Sequence, residues 1–149
     1  MKKLIILMLL VCAAGFVRGQ ILTPVHWSYA AKRLNDKEAV IFIKATMDKG
    51  WHVYSQTLQK GGPVKTTITF EPSKKFQLNG KTEEPAPVTK FEKVFNMEIS
   101  YFADEVIFQQ KIKLKTNGPV TVKGNIHYMT CNDEKCLPPD DAAFTVRVN

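Results

Sequence analysis

Glu105-Val106-Ile107-Phe108-Gln109-Gln110-Lys111-Ile112-Lys113-Leu114-Lys115 alternates strongly along its length. Val106, Phe108, Ile112 and Leu114 share one parity, and the lysines take the other. Successive side chains of a strand point to opposite faces, so this stretch is expected to bury one face and wet the other.

The same period-two reading extends outward in both directions. Upstream, strands are expected over Val25–Leu34, Ala39–Met47, Trp51–Tyr54, Val64–Phe70 and Ile99–Phe102. Downstream they are expected over Val120–Thr130 and Ala143–Val148. Asn35-Asp36, Asp48-Lys49-Gly50, Gly61-Gly62-Pro63, Asn79-Gly80 and Asn117-Gly118-Pro119 interrupt the runs with residues that supply or tolerate positive φ. Glu84-Pro85-Ala86-Pro87 lacks a full set of backbone donors and is expected at an edge or in a loop. No helical periodicity competes. Eight or so short strands with regular turn signals predict an all-β chain, an immunoglobulin-like β-sandwich.

The first nineteen residues read differently. Met1-Lys2-Lys3 is a charged start, Leu4 to Ala14 is apolar, and Val17-Arg18-Gly19 offers a cut before Gln20. That is the order of a secretory signal peptide. The apolar run is shorter than the roughly 20 residues a bilayer crossing needs. Residues 1–19 are therefore expected to be a signal peptide and 20–149 a single exported domain, periplasmic or otherwise in the envelope, with no membrane span in the mature chain. Cys12 could mark a lipoprotein, but Val11 stands where lipoprotein processing wants a small residue, so this anchoring is the weaker reading.

Loss of Lys2, Lys3 and Arg18 takes the formal charge from +7 to +4. The remaining basic residues are spread through strands, as in Lys111-Ile112-Lys113-Leu114-Lys115. That is a solvated strand face, with neither the stripe nor the motif of a nucleic-acid binder. There is no nucleophile elbow, zinc-binding helix motif or phosphate loop. The carboxylate pairs Glu83-Glu84 and Asp140-Asp141 are expected in turns.

The mature chain has two cysteines, in Tyr128-Met129-Thr130-Cys131-Asn132-Asp133-Glu134-Lys135-Cys136-Leu137-Pro138-Pro139. Outside the cytoplasm an adjacent pair invites a local bridge. As a structural staple it would do little. Closing about six residues contributes roughly 2 kcal/mol, against about 4.7 kcal/mol for a 100-residue loop. A chain of this size already buries a core. A bond in a surface loop is also open to thiolate attack. Reversible exchange is the favoured reading, a local staple in a binding or assembly module the alternative. A metal site of His127, Cys131 and Cys136, completed by Asp133 or Glu134, fits no common zinc spacing. Asp133 and Glu134 would raise a nearby thiol pKa, and Lys135 would lower it.

The string Tyr128-Met129-Thr130-Cys131 with Cys136-Leu137-Pro138-Pro139 resembles the N-terminal periplasmic domain of the thiol:disulfide interchange protein DsbD, over nearly all of the mature chain. Trp51-His52-Val53-Tyr54 is similar to the aromatic strand beside that family's cysteine pair. Glu92-Lys93-Val94-Phe95-Asn96-Met97 is similar to its cap loop. Four residues separate the cysteines here, where the family's pattern has five.

The resemblance implies a component of a protein-disulfide reductase relay, without bound cofactor or metal. A separate thioredoxin-fold donor would reduce it, and it would reduce envelope client proteins. Cys136 would form the mixed disulfide and Cys131 would resolve it. Phe95 would shield the pair, and Tyr54 and His52 would line the site.

Overall fold

A computed structural model describes residues 22–93 and 95–149. The signal peptide expected over 1–19, including Cys12, lies outside the described residues, as does Val94 of the expected cap loop. The described chain is all-β. Its strands are β1 (Val25–Asn35), β2 (Glu38–Met47), β3 (His52–Tyr54), β4 (Thr67–Phe70), β5 (Phe76–Leu78), β6 (Val88–Glu92), β7 (Met97–Ala103), β8 (Glu105–Leu114), β9 (Val120–Tyr128), β10 (Thr130–Cys131) and β11 (Asp140–Val148). They form three antiparallel sheets in the orders β1-β2-β8-β5, β10-β3-β7-β6 and β11-β9-β4, an immunoglobulin-like arrangement. Among the described residues no helix is long and apolar enough to cross a membrane.

β8 behaves as its alternation predicts. Val106, Phe108, Gln110, Ile112 and Leu114 are buried, and the residues between them are exposed. On β2, Ala39, Ile41, Ile43 and Ala45 meet them in a core shared with Val53 and Phe102 of the second sheet and Val120, Val122, Ile126 and Phe144 of the third. Each large apolar side chain so buried contributes roughly 1.5–3 kcal/mol. Gln110 is the polar exception in the β8 row. Its amide donates to the carbonyls of Lys111 and Gly80 and accepts from Thr82 Oγ1 at 2.9 Å, so its burial leaves no group unpaired.

Several expectations shift. β5 and β6 are strands that the sequence does not announce, so the chain has more strands than the eight or so expected. Val120–Thr130 is not one regular strand. It breaks at Met129, where the chain leaves the third sheet and β10 joins the second. The last strand begins at Asp140, not Ala143, because Asp140 and Asp141 pair with Tyr128 and His127 of β9. The carboxylate pair expected in a turn there sits on a strand instead. The other pair divides, with Glu83 bridging Gln109 and Glu84 accepting hydrogen bonds from Ser55 and Gln56.

Candidate functional site

The second sheet departs from the usual rule that a sandwich sheet is apolar inside and polar outside. Its inner face gives Val53 and Phe102 to the main core. Its outer face is also largely apolar. Tyr54, Ile99 and Cys131 form a second buried cluster there, with Leu58, Phe95, Met97, Tyr101 and Met129 packed against it. Alternation produces this face. Cys131 opposes His52 in the β10–β3 ladder, and Tyr54 opposes Tyr101 in the β3–β7 ladder, so these four side chains share one side.

Cys131 and Cys136 form a disulfide across a tight hairpin, with Cα atoms 4.0 Å apart. The hairpin has its own backbone frame. Asn132 N donates to Lys135 O and Leu137 N to Thr130 O, both at 2.9 Å. Asn132 Oδ1 accepts from the amides of Glu134 at 3.0 Å and Lys135 at 2.8 Å, a side-chain turn that suits Asn. Thr130 Oγ1 donates to His52 O at 2.9 Å and fixes the hairpin base to β3. Pro138 and Pro139 then lead the chain into β11.

The two cysteines differ sharply in exposure. Cys131 is 2% exposed, whereas Cys136 is an exposed residue on the outer limb of the hairpin. The pair lies in a surface depression of about 400 Å³, walled by the hairpin, His52, Tyr54, Lys90, Glu92 and Phe95. Phe95 reaches it from the β6–β7 turn. Phe95 N donates to Glu92 O and Asn96 N to Lys93 O, and Asn96 takes a φ of 51° that few other residues accept.

The electrostatics follow from burial. His52 Nε2 lies 3.3 Å from the Tyr54 hydroxyl, and its ring stacks obliquely 4.8 Å from Tyr101. Desolvation lowers the His52 pKa below the usual imidazole value, against the opposing pull of Glu92 and Asp133 and with a smaller push from Lys90. Burial, with the Glu92 charge behind it, pushes Tyr54 up to about 12. Both rings are therefore neutral at pH 7. Lys90 pairs with Glu92 at 3.4 Å on the exposed rim, and the hydrogen bond to Glu92 raises its pKa.

Every residue singled out beforehand for this site is brought together: Cys131, Cys136, Phe95, Tyr54 and His52 line one depression. Trp51 is elsewhere, buried in the main core. His127 also lies away from the pair, partly exposed on β9 with Nδ1 3.2 Å from Asp141 Oδ1. With both sulfurs bonded to each other, the combination of His127 with the cysteines does not assemble. Among the described residues no three His, Cys, Asp or Glu side chains converge as a metal site would require. Sequence reasoning gave no role to Thr130, Asn132 or Tyr101. Asn132 carries a signal, since Asn opening a four-residue turn is a side-chain turn former. Thr130 and Tyr101 owe their positions to pairing with β3, which single-strand patterns do not reveal.

A family model described as "Thiol:disulfide interchange protein DsbD, N-terminal" matches residues 20–147. Among solved structures, the chain is similar to the reduced DsbD N-terminal domain of Neisseria meningitidis, at 16% identity and TM-score 0.54, covering 83% of this chain and 85% of that one. It is similar to the same organism's DsbD N-terminal domain in complex with the PilB N-terminal domain, at 15% identity and TM-score 0.55, covering 85% of this chain and 88% of that one. It is also similar to the N-terminal periplasmic domain of ScsB from Proteus mirabilis, at 16% identity and TM-score 0.61. That match covers 88% of this chain and 49% of the other, so the chain spans about half of that domain. At these identities the structural likeness shows the fold. No curated protein matches the sequence.

Proposed function

The chain belongs to the family of N-terminal domains of the thiol:disulfide interchange protein DsbD, and we propose that it passes reducing equivalents through reversible opening of the Cys131–Cys136 disulfide. The observation that carries this reading is the unequal exposure of the two bonded cysteines. A donor thiolate attacks Cys136, the sulfur it can reach, and Cys131 leaves. A second donor thiol completes the transfer and releases the domain as a dithiol. The Cys136 thiolate then attacks a client disulfide, and Cys131 resolves the mixed disulfide, releasing the client reduced. Each cycle moves two electrons and two protons from donor to client.

The local staple is the poorer account of the same bond. The hairpin already holds itself by backbone hydrogen bonds on both sides of the disulfide. Closing so short a loop would contribute only about 2 kcal/mol. An apolar outer sheet face covered by a phenylalanine-bearing turn also has no purpose in a staple.

Thioredoxin-fold proteins are the proposed donors and clients. Support for docking of a second domain comes from the Neisseria relative solved with PilB. The proposed location is the periplasm, with residues 1–19 removed as a leader and 20–149 exported. A mature N-terminus at Gln20 in the envelope fraction is the expected mass-spectrometric result.

The deciding experiment is a redox titration of the full chain in non-denaturing thiol buffers. An exchange site should open well above about −300 mV, where structural disulfides remain closed. A bond that stays shut below that potential would end the proposal. As a second arm, a Cys131→Ser variant should trap an oxidised thioredoxin-fold protein covalently through Cys136.

A further inference from the structure

Burial of Cys131 creates a chemical problem. A thiolate 2% exposed to solvent is expensive, because an apolar setting favours the protonated thiol. Yet Cys131 must attack as a thiolate when it resolves a mixed disulfide, and must leave as one when the donor attacks Cys136. Water has little access to carry that proton. The group directly across the ladder is His52. Opposed residues of an antiparallel pair share a face with Cβ atoms roughly 4.5–5.5 Å apart, and both residues wall the same depression. His52 Nε2 lies 3.3 Å from the Tyr54 hydroxyl, and in the tautomer that donates Nε2–H to that oxygen Nδ1 carries the lone pair that can take a proton.

We propose that His52 is the proton-transfer partner of Cys131, accepting the thiol proton as Cys131 attacks and returning it when Cys131 is expelled. The inference rests on the exchange function proposed above.

The groups around the imidazole are compatible with this. The Tyr54 hydroxyl on β3 and the Tyr101 ring on β7 lie against the imidazole, and Glu92 and Lys90 on β6 form a compensated pair. Asp133 in the hairpin turn supplies one further negative charge. The ring is uncharged in the resting state, so it is ready as a base. Glu92 and Asp133 then favour the imidazolium once it forms.

The steps balance. In the resolving direction, neutral His52 takes the Cys131 proton. The Cys131 sulfur forms a bond to Cys136 Sγ, and the bond from Cys136 to the partner breaks with the electron pair leaving on the partner sulfur. In the reverse direction, the donor sulfur bonds to Cys136, the Cys131–Cys136 bond breaks with its electron pair leaving on Cys131, and the half-exposed His52, taking up a solvent proton as that charge develops, delivers it to the departing sulfur. Cysteine is oxidised in the first case and reduced in the second.

The test uses the reduced full chain and 5,5′-dithiobis(2-nitrobenzoate) in a stopped-flow instrument between pH 5 and 9. The first coloured thiolate is released when Cys136 attacks the reagent, the second when Cys131 resolves the mixed disulfide. His52→Phe and His52→Gln should retain a first phase. They should slow the second at pH 7 by about 100-fold, the lower end of what a positioned base contributes. In the unaltered chain the second phase should reach half its maximal rate below pH 7, in the imidazole range. In both variants it should rise only as an unassisted thiol ionises, above about pH 8. A second phase that follows thiol ionisation in the unaltered chain overturns the inference without reference to any variant, and equal profiles in all three proteins do so too. A missing first phase would instead sink the exchange reading, and this inference with it.

Discussion

Thr130 Oγ1 hydrogen-bonds the carbonyl oxygen of His52 at 2.9 Å, which clamps the strand bearing the buried sulfur to the strand bearing the imidazole. Thr130 is 4% exposed, so water does not readily replace that bond. Thr130→Val keeps the shape and removes the hydroxyl. It should cost about 1 kcal/mol, the net worth of one such bond, with Thr130→Ser closer to the unaltered chain. Urea denaturation measures both, and an unchanged midpoint for Thr130→Val would remove the clamp from the account.

The two sulfurs should be told apart by alkylation. With Cys131→Ser, the remaining Cys136 belongs to an exposed residue and should react with iodoacetamide in the native chain. With Cys136→Ser, the remaining Cys131 thiol is buried and should react more slowly, by roughly tenfold or more, until denaturant is added. Comparable native rates in the two variants would contradict the asymmetry on which the proposed mechanism depends.

Phe95 packs on the cluster that contains Cys131 and walls the same depression as Cys136. Phe95→Ala should open the disulfide to small thiols and accelerate its reduction by dithiothreitol several-fold. The loss of stability should be about 1–2 kcal/mol, less than the 3–5 kcal/mol of a fully buried phenylalanine, because Phe95 is only half-buried. A reduction rate indifferent to the substitution would deny Phe95 its shielding role.

Tyr54 sets a pH dependence on the alkaline side. Its pKa is raised from 10.0 to about 12 in the folded chain, so the unfolded chain loses this proton first. The stabilisation is fully present below pH 10 and is lost as pH rises towards 12. Unfolding midpoints should fall through that window, and Tyr54→Phe should flatten its share of the fall. Tyr29 and Tyr128 are shifted the same way by burial and leave a residual slope. A phenol absorbance titration lacking a late component would refute the assignment.

What could be read from the sequence follows a physical dividing line. β8 and β2 were legible because their neighbours bury one face and leave the other wet or strongly patterned, so alternation is written into each strand alone. β5 and β6 were not. Phe76–Leu78 has three residues, and it is a strand because β8 offers it an edge. Val88–Glu92 is almost wholly exposed and takes its conformation from pairing with β7. The disulfide hairpin was legible from local signals, two cysteines and an Asn-Asp turn. The break at Met129 was not, because Tyr128 and Thr130 are both buried, in different sheets, and no pattern within one strand announces a change of partner.

One residue shows the same limit inside a regular strand. Gly124 on β9 lies between Phe70 of β4 and Phe144 of β11, its partners on either side. The two rings meet edge to face at 5.5 Å, and a Cβ at position 124 would stand 2.4 Å from the Phe144 ring. Its glycine is a matter of space, which becomes visible only once three strands are assembled.

The backbone frame of the 131–136 hairpin has a consequence for how such a domain could tell friend from bystander. Because the turn is knitted by main-chain and Asn132 contacts that do not involve sulfur, gaining or losing two electrons need not reshape the docking face. A visitor would then encounter nearly the same contour whether the domain arrives charged or spent. Under that circumstance productive and unproductive encounters form with similar ease, and the direction of traffic is governed by the potentials of the two parties and by how quickly they separate.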